Sequence, residues 1–211
     1  MTLPQIFDLL GVAVFAISGA LAAGRKSLDL LGVVVIAIVT GVGGGTLRDV
    51  LLDRHPIFWM ANPTQLIVII LAALATLVYT RRRQPPRSSL LFADAAGLAF
   101  FTISGAQIAE RAGFPALTVV VMGTMTGVAG GMIRDVLTAE IPIILRRGNI
   151  YATAAIAGAV IYLLLEGAGT NRVAAGLIGM ASIAVIRLAA IVWDLKLPVF
   201  TLPPETGHAP D

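Results

Sequence analysis

The chain has 211 residues, 57% of them hydrophobic and only 13% charged, with a mean hydropathy of +0.91. Soluble domains carry about 25% charged residues, so this composition excludes a soluble globular protein and describes an integral membrane one. The formal net charge of +3 is too small to argue for a nucleic-acid partner, and the absence of cysteine excludes disulfides and thiolate metal sites.

Seven apolar runs follow one another at approximately 4–23, 28–52, 63–80, 89–109, 115–138, 149–165 and 173–193. Each approaches the roughly 20 residues that a membrane-spanning helix needs, the sixth being the shortest. Polar, charged or Pro/Gly-rich breaks separate them. The first run ends in small residues like a signal peptide, but it lacks a basic leader and contains Asp8. The tail from 198 to 211 is rich in proline and polar residues, and its composition predicts disorder.

Sliding the chain by 86 residues exposes an internal repeat: Asp8 falls on Asp94, Gly11 on Gly97, Phe15 on Phe101, and Ile17-Ser18-Gly19-Ala20 on Ile103-Ser104-Gly105-Ala106. Without a gap, about half of positions 8–57 are identical to positions 94–143. The first run is therefore a structural helix. Each copy holds three runs, an odd number, so the second copy enters the membrane from the opposite side. The expected architecture is all-α, with seven transmembrane helices arranged as an inverted three-plus-three repeat and one further helix. Residues 1–197 form a single membrane domain, with repeat one at about 4–80, repeat two at about 89–166 and the seventh helix at about 172–194.

Basic residues set the orientation. Arg25, Lys26, Arg81, Arg82, Arg83, Arg87, Arg146, Arg147 and Lys196 fall on one side, against Arg54, Arg111 and Arg172 on the other. The first side is expected to be cytoplasmic, which puts the N-terminus outside and the C-terminus inside. The Arg81–Arg83 run reads as a topology determinant or as a patch for anionic lipid headgroups.

The segment repeated most closely is Gly41-Val42-Gly43-Gly44-Gly45-Thr46-Leu47-Arg48-Asp49-Val50-Leu51, which returns as Gly127-Val128-Ala129-Gly130-Gly131-Met132-Ile133-Arg134-Asp135-Val136-Leu137. Gly-x-x-x-Gly spacing often marks close helix packing in membranes. The cluster also weakens the helix, each glycine costing roughly 1 kcal/mol against alanine. A kink or local unwinding there frees carbonyl oxygens, which are ligands for a partly dehydrated alkali cation. A nucleotide-binding loop is excluded: Thr46 stands where a third glycine is required, no lysine follows, and no strand precedes.

The inverted repeat predicts two charged clusters, Asp8/Arg48/Asp49 toward the outer face and Asp94/Arg134/Asp135 toward the inner. Pairing of Asp8 with Arg48 and of Asp94 with Arg134 leaves Asp49 and Asp135 facing a pathway whose surplus negative charge favours cations. The bland alternative is that these are interhelical ion pairs that only hold spans together. Ser18 and Ser104 are candidate hydroxyl ligands, or they bond back to their own helices. Arg187, in the inner half of the last span, is a candidate gate for the inner cluster or a residue that snorkels to the headgroups. His55 and His208 have no metal-ligand spacing. Trp59, Tyr79 and Trp193 read as interfacial anchors. No nucleophile–base set is recognisable, so neither an enzyme nor a cofactor is expected.

The doubled glycine-Arg-Asp motif in a three-plus-three-plus-one chain resembles the prokaryotic TRIC proteins, relatives of the trimeric intracellular cation channels, over about residues 4–196. The resemblance implies a homotrimer in the cell's inner membrane, surrounded by lipid. It implies one potassium-permeable pore per subunit, lined by kinked second and fifth helices, with potassium or sodium as the permeating ion. By the motif match, Gly43-Gly44-Gly45 and Ala129-Gly130-Gly131 are the kinks, and Arg48, Asp49, Arg134 and Asp135 the nearby polar lining; Ala129 departs from a full glycine triplet. The same group carries a label as glycine transporters, so a small-molecule carrier is the rival reading. A carrier is expected to hold a substrate-sized site near the midplane, whereas the charges here lie toward both mouths.

Overall fold

A computed structural model describes residues 3–86 and 88–198, and these are helical throughout their regular elements. Arg87, His208 and the tail from 199 on, with its expected disorder, lie outside the described residues. The helices are α1 (Leu3–Arg25), α2 (Leu30–Leu51), the single turn α3 (Phe58–Ala61), α4 (Thr64–Arg82), α5 (Ser89–Arg111), α6 (Ala116–Leu137), α7 (Ala152–Gly167) and α8 (Arg172–Val192), with a 3-10 turn at Ile143–Leu145.

Local sequence accounts for the helix boundaries. The Asp29 carboxylate caps α2 by accepting from Gly32 N at 2.7 Å, and Asn171 caps α8 by accepting from Val173 N at 2.8 Å. Left-handed residues follow the helix ends in matched pairs. Ser27 (φ 54°) and Gly113 (φ 80°) are one repeat apart, as are Asp53 (φ 51°) and Ala139 (φ 52°). The repeat therefore extends to the backbone of the turns, including three positions where no glycine signals it.

α1 and α5 lie side by side and antiparallel. Asp8 meets Ser104 at one end, while Ser18 and Asp94 meet the same arginine, Arg134, at the other. Midway, the rings of Phe15 and Phe101 stack with centroids 5.3 Å apart. Residues one repeat apart thus face each other across a pseudo-two-fold axis, which is the inverted repeat expected from the odd run count. One apolar core lies among α1, α2 and α4 around Phe15, Ile36 and Ile69, and a second among α5 to α8 around Leu98, Ile103 and Ile183. α8 joins the second core, packing on α7 where Gly158 and Gly179 approach each other's carbonyl oxygens. Outward faces stay apolar, as at Leu31, Leu71, Leu117, Leu164 and Val185, which suits lipid rather than water.

Six of the helices are long and apolar enough to cross a membrane. α7 has 16 residues, or roughly 24 Å of helix, and falls short of a hydrocarbon core of about 30 Å. The basic residues gather at one end of the bundle: Arg25 lines a cavity with Thr80 and Gln84, at the end of α4, and Lys26 reaches Glu140 beside Arg146. Arg54, Arg111 and Arg172 lie at the opposite end, near Asp8.

Candidate functional site

The glycine clusters mark the place where α2 and α6 cross. Both helices run unbroken through Gly41–Gly45 and Gly127–Gly131. The expected unwinding is therefore absent, and the carbonyl groups stay within the helical ladder. The packing reading of these glycines accounts for the geometry. A Cβ on Gly44 would stand 2.1 Å from Thr126 O, and one on Gly130 would stand 2.4 Å from Thr40 O. Those two contacts exchange under the repeat, so the pseudo-two-fold axis passes through this crossing. Gly43 faces Ile133 and the Gly130 backbone in the same seam, while Gly41 packs on Ile69 and Gly127 on Thr102. Ala129 is buried without interrupting the seam. Thr40 and Thr126 turn their hydroxyls back to Ile36 O and Met122 O, each at 2.6 Å.

One turn beyond the crossing, each helix presents its Arg-Asp pair, and here the two copies diverge. At the basic end, Arg134 is fully buried among carboxylates. Its Nη1 donates to Asp94 Oδ1 at 2.7 Å and to Ser18 Oγ, and its Nε donates to Asp135 Oδ1 at 2.8 Å. Side chains from three helices, α1, α5 and α6, thus converge on one guanidinium, with the Tyr151 hydroxyl beside Asp94 against Gly131. The expected inner cluster is present in full.

At the opposite end the expected Asp8–Arg48 pair is not formed. Arg48 turns to its own neighbour, Asp49, with Nε and Nη2 each 2.8 Å from Oδ1. Asp8 instead accepts from Ser104 Oγ at 2.8 Å. The cause is Phe58. Its ring fills the space against Gly45, where Asp94 and Tyr151 approach the equivalent Gly131, and it lies 5.4 Å below the Arg48 guanidinium. An aromatic face attracts the cation there and occupies the room that the carboxylate takes in the other copy.

Asp49 and Asp135 are both buried and each clamps the segment after its helix, and Asp135 also lines a cavity. Asp49 Oδ2 accepts from Phe58 N at 2.9 Å and Asp135 Oδ2 from Ile143 N at 2.8 Å. Arg54 adds a second cation to Asp49 at 3.2 Å. A carboxylate that accepts a backbone N–H and a guanidinium is well satisfied, so these residues fix the shape of each mouth.

Ser18 and Ser104 both bond across to other helices rather than back to their own, Ser18 accepting from Arg134 and Ser104 donating to Asp8. Arg187 does not snorkel. It is buried, donates to Asn149 Oδ1 at 2.9 Å and Ile150 O at 2.7 Å, and lies over the Tyr151 ring at 4.8 Å. Trp59 is more than an interfacial anchor, since its indole N–H donates to Thr46 Oγ1 at 3.0 Å. Among the described residues no cluster suited to a metal ion is present.

Each charged end opens on a cavity. Asp8, Ser104, Gln107, Arg111 and Arg172 line one of about 90 Å³. Asp135, Thr138, Glu140, Lys26 and Arg146 are among the residues lining another of about 290 Å³. Across the second, Lys26 Nζ lies 2.6 Å from Glu140 Oε1, joining the α1–α2 turn to the segment after α6. The Lys26 ammonium holds the Glu140 carboxyl below its usual range. Between the two ends lie the Phe15–Phe101 stack and the α2–α6 seam.

Phe58, Tyr151 and the Lys26–Glu140 bridge lie beyond the sequence reading. Phe58 sits in a break between apolar runs and Tyr151 at the start of the sixth run, and neither has an aromatic equivalent in the other copy, so the repeat gave them no signal. Glu140 falls in a break that was read only as a boundary.

A family model described as Glycine transporter matches residues 5–81 and again residues 91–167. The chain is 47% identical over 197 residues to the inner membrane protein YadS of Escherichia coli, covering 92% of this chain and 95% of the relative. It is 43% identical to a membrane protein of Vibrio cholerae, covering 95% of this chain and 84% of the relative. Its fold matches a TRIC trimeric intracellular cation channel orthologue from Rhodobacter sphaeroides with a TM-score of 0.87 and 38% identity, over 92% of this chain and 100% of that one. A second TRIC cation channel structure matches with a TM-score of 0.85 and 35% identity, over 96% and 99% of the two chains. The apolar helices and these relatives make it a multi-pass membrane protein. By sequence and by fold, the chain belongs to the prokaryotic TRIC family, whose family model bears the description Glycine transporter.

Proposed function

We propose that the protein is a monovalent-cation channel with one pathway in each subunit of a homotrimer, and that this structure is its closed state. The observation that carries the reading is the inequality of two symmetry-related carboxylates. Asp94 is neutralised by Arg134, while Asp8 makes no ion pair among the described residues and lines an outer cavity. A carboxylate held in no ion pair offers an entering cation a ligand at that mouth, beside the Arg111 and Arg172 that line the same cavity. The pathway runs from Asp8 and Ser104 between α1, α2, α5 and α6 to Ser18 and Asp94. Its hydroxyl and carboxylate groups replace part of the ion's hydration shell.

Arg134 closes the inner end, because a fixed guanidinium on the pathway opposes a cation. Opening requires Arg134 to leave Asp94 and Ser18 and keep only Asp135, the arrangement that Arg48 and Asp49 already hold at the other end. Weak-field hydroxyl ligands favour the ion that sheds water more readily, potassium before sodium. α7 completes seven crossings where the bilayer thins to meet it, with residues 1–197 acting as one membrane unit and the basic end in the cytoplasm. The homotrimer is supported by the family likeness.

The rival is a carrier for glycine. A carrier needs a substrate-sized site near the midplane, and that level is filled here by Phe15, Phe101 and the glycine seam. Reconstitution into liposomes separates the two. Passive potassium flux without glycine supports the channel, and gradient-coupled glycine uptake without cation conductance supports the carrier.

A further inference from the structure

Arg187 is a buried cation without a counter-ion at hydrogen-bond distance. It is 1% exposed, and it donates hydrogen bonds to an amide oxygen and a backbone carbonyl, on Asn149 and Ile150. Its Nε is buried with no partner. Asp94 is the carboxylate that faces it, from beyond ion-pair distance and already bonded to Arg134. Burying a donor of this kind without a partner is costly, and burying a guanidinium without a close anion more so.

The same side chain lines a cavity of about 150 Å³ at the basic end, with Arg147, Lys196, Asn149 and Asp194 also in its wall. Three chain segments build that wall. The stretch after α8 folds back on the α6–α7 connection, where Leu197 N donates to Gly148 O at 2.8 Å and Asn149 pairs with Lys196 in an antiparallel bridge. Arg187 pins the same connection from the other side through Asn149 and Ile150. Three cations therefore converge on one small space, against a single carboxylate, Asp194, which Lys196 already holds at 2.6 Å.

We propose that this cavity is a binding site for a phosphate group, with Arg187 as its buried anchor and Arg147 and Lys196 as its rim. Guanidinium groups suit phosphate because their paired N–H donors match its oxygens. The cavity admits a phosphate and a few attached atoms, so the ligand is either the phosphodiester of an anionic lipid or free phosphate. It lies between α5, α8 and the α6–α7 connection, away from the α2–α6 crossing, and does not rest on the channel reading.

The test uses the full chain, purified in detergent and stripped of lipid, with native mass spectrometry as the readout. The probes are phosphatidylglycerol, diacylglycerol as its phosphate-free counterpart, and inorganic phosphate. Phosphatidylglycerol retained over diacylglycerol identifies a lipid phosphate, and inorganic phosphate retained without a lipid preference identifies the free ion. In either case the double variant Arg147→Gln/Lys196→Gln is expected to bind roughly thirtyfold more weakly, about what the loss of two basic contacts gives. Arg81→Gln/Arg82→Gln, at the same end but outside the cavity, is expected to bind like the parent. Arg187→Gln removes the anchor, and the rim variant keeps the test decisive if that protein does not fold. Retention of no probe, equal retention by parent and rim variant, or equal loss in the Arg81/Arg82 control overturns the proposal.

Discussion

Arg134 reaches from α6 to Asp94 on α5 at 2.7 Å as well as to its neighbour Asp135, whereas its repeat counterpart Arg48 makes no ion pair with Asp8 and keeps only its neighbour Asp49. One sequence pattern, written twice in opposite directions, is thus held in two different arrangements at the two ends of the bundle. Asp8 and Asp94 hold matching positions of the repeat, each three residues before a matched glycine. In space, the Phe58 ring lies against Gly45 at one end, where Asp94 and Tyr151 approach Gly131 at the other.

That ring gives the first prediction. Phe58→Ala removes the group that occupies Gly45 and lies beneath Arg48, a cation–π contact of about 0.5–2 kcal/mol. Arg48 is then free to close on Asp8 as Arg134 closes on Asp94. Potassium flux should fall below that of the parent protein, and Phe58→Tyr should retain it. Undiminished flux in Phe58→Ala would separate Phe58 from the state of the outer mouth.

The α2–α6 crossing gives the second. A methyl group on Gly44 or Gly130 meets a backbone oxygen at 2.1 or 2.4 Å, and backbone cannot swing aside as a flexible side chain can. Gly44→Ala and Gly130→Ala should each destabilise the protein by about 1–3 kcal/mol, the usual cost of overpacking. Gly24→Ala, where nothing lies within 4 Å of the added carbon, serves as the control. Thermal unfolding in detergent reads the difference. Equal midpoints for Gly44→Ala and Gly24→Ala would rule out a tight crossing.

The third concerns the buried inner cluster. Arg134→Gln leaves Asp94 and Asp135 without their cation, and breaking a buried pair from one side costs about 3–5 kcal/mol. Adding Asp94→Asn to that variant should restore part of the loss, because one of the stranded charges is removed. A double variant no more stable than Arg134→Gln would mean that Asp94 and Arg134 are not energetically coupled.

The fourth is a pH effect at the surface. The Glu140 carboxyl is held below its ordinary value of 4.5 by Lys26. A carboxylate whose folded pKa is depressed contributes above its unfolded pKa and stops contributing as pH falls through the folded one. The Lys26–Glu140 bridge should therefore be intact at neutral pH and open only in acid, below the ordinary carboxylate range. Amide hydrogen exchange across residues 138–148, compared with Glu140→Gln at each pH, checks this: protection should be higher in the parent at neutral pH and converge in acid. A difference that persists in acid would contradict it.

Much of the architecture was legible because the repeat is a strong signal. Identity between the copies identified the first run as a helix, and the odd run count required inversion, which the antiparallel Asp8–Ser104 and Ser18–Arg134–Asp94 contacts display. The inner cluster was legible for the same reason. The glycine clusters were half legible: composition showed that they matter, yet both packing and unwinding use glycine, and only the reciprocal Gly44–Thr126 and Gly130–Thr40 approaches distinguish them. The outer cluster failed because symmetry was the sole guide to it, and Phe58 breaks that symmetry. The clamping contacts of Asp49 and Asp135 were not legible, because their partners are backbone N–H groups of Phe58 and Ile143, which carry no side-chain signature.

The most direct measurement is potassium efflux from liposomes in the absence of glycine, comparing the parent protein with Asp94→Asn. The substitution weakens the contact that closes the inner end, while Asp135 continues to neutralise Arg134. Passive potassium efflux from the parent, and faster efflux from Asp94→Asn, is the predicted result. No potassium efflux from either protein, together with gradient-coupled glycine uptake by the parent, would contradict the account.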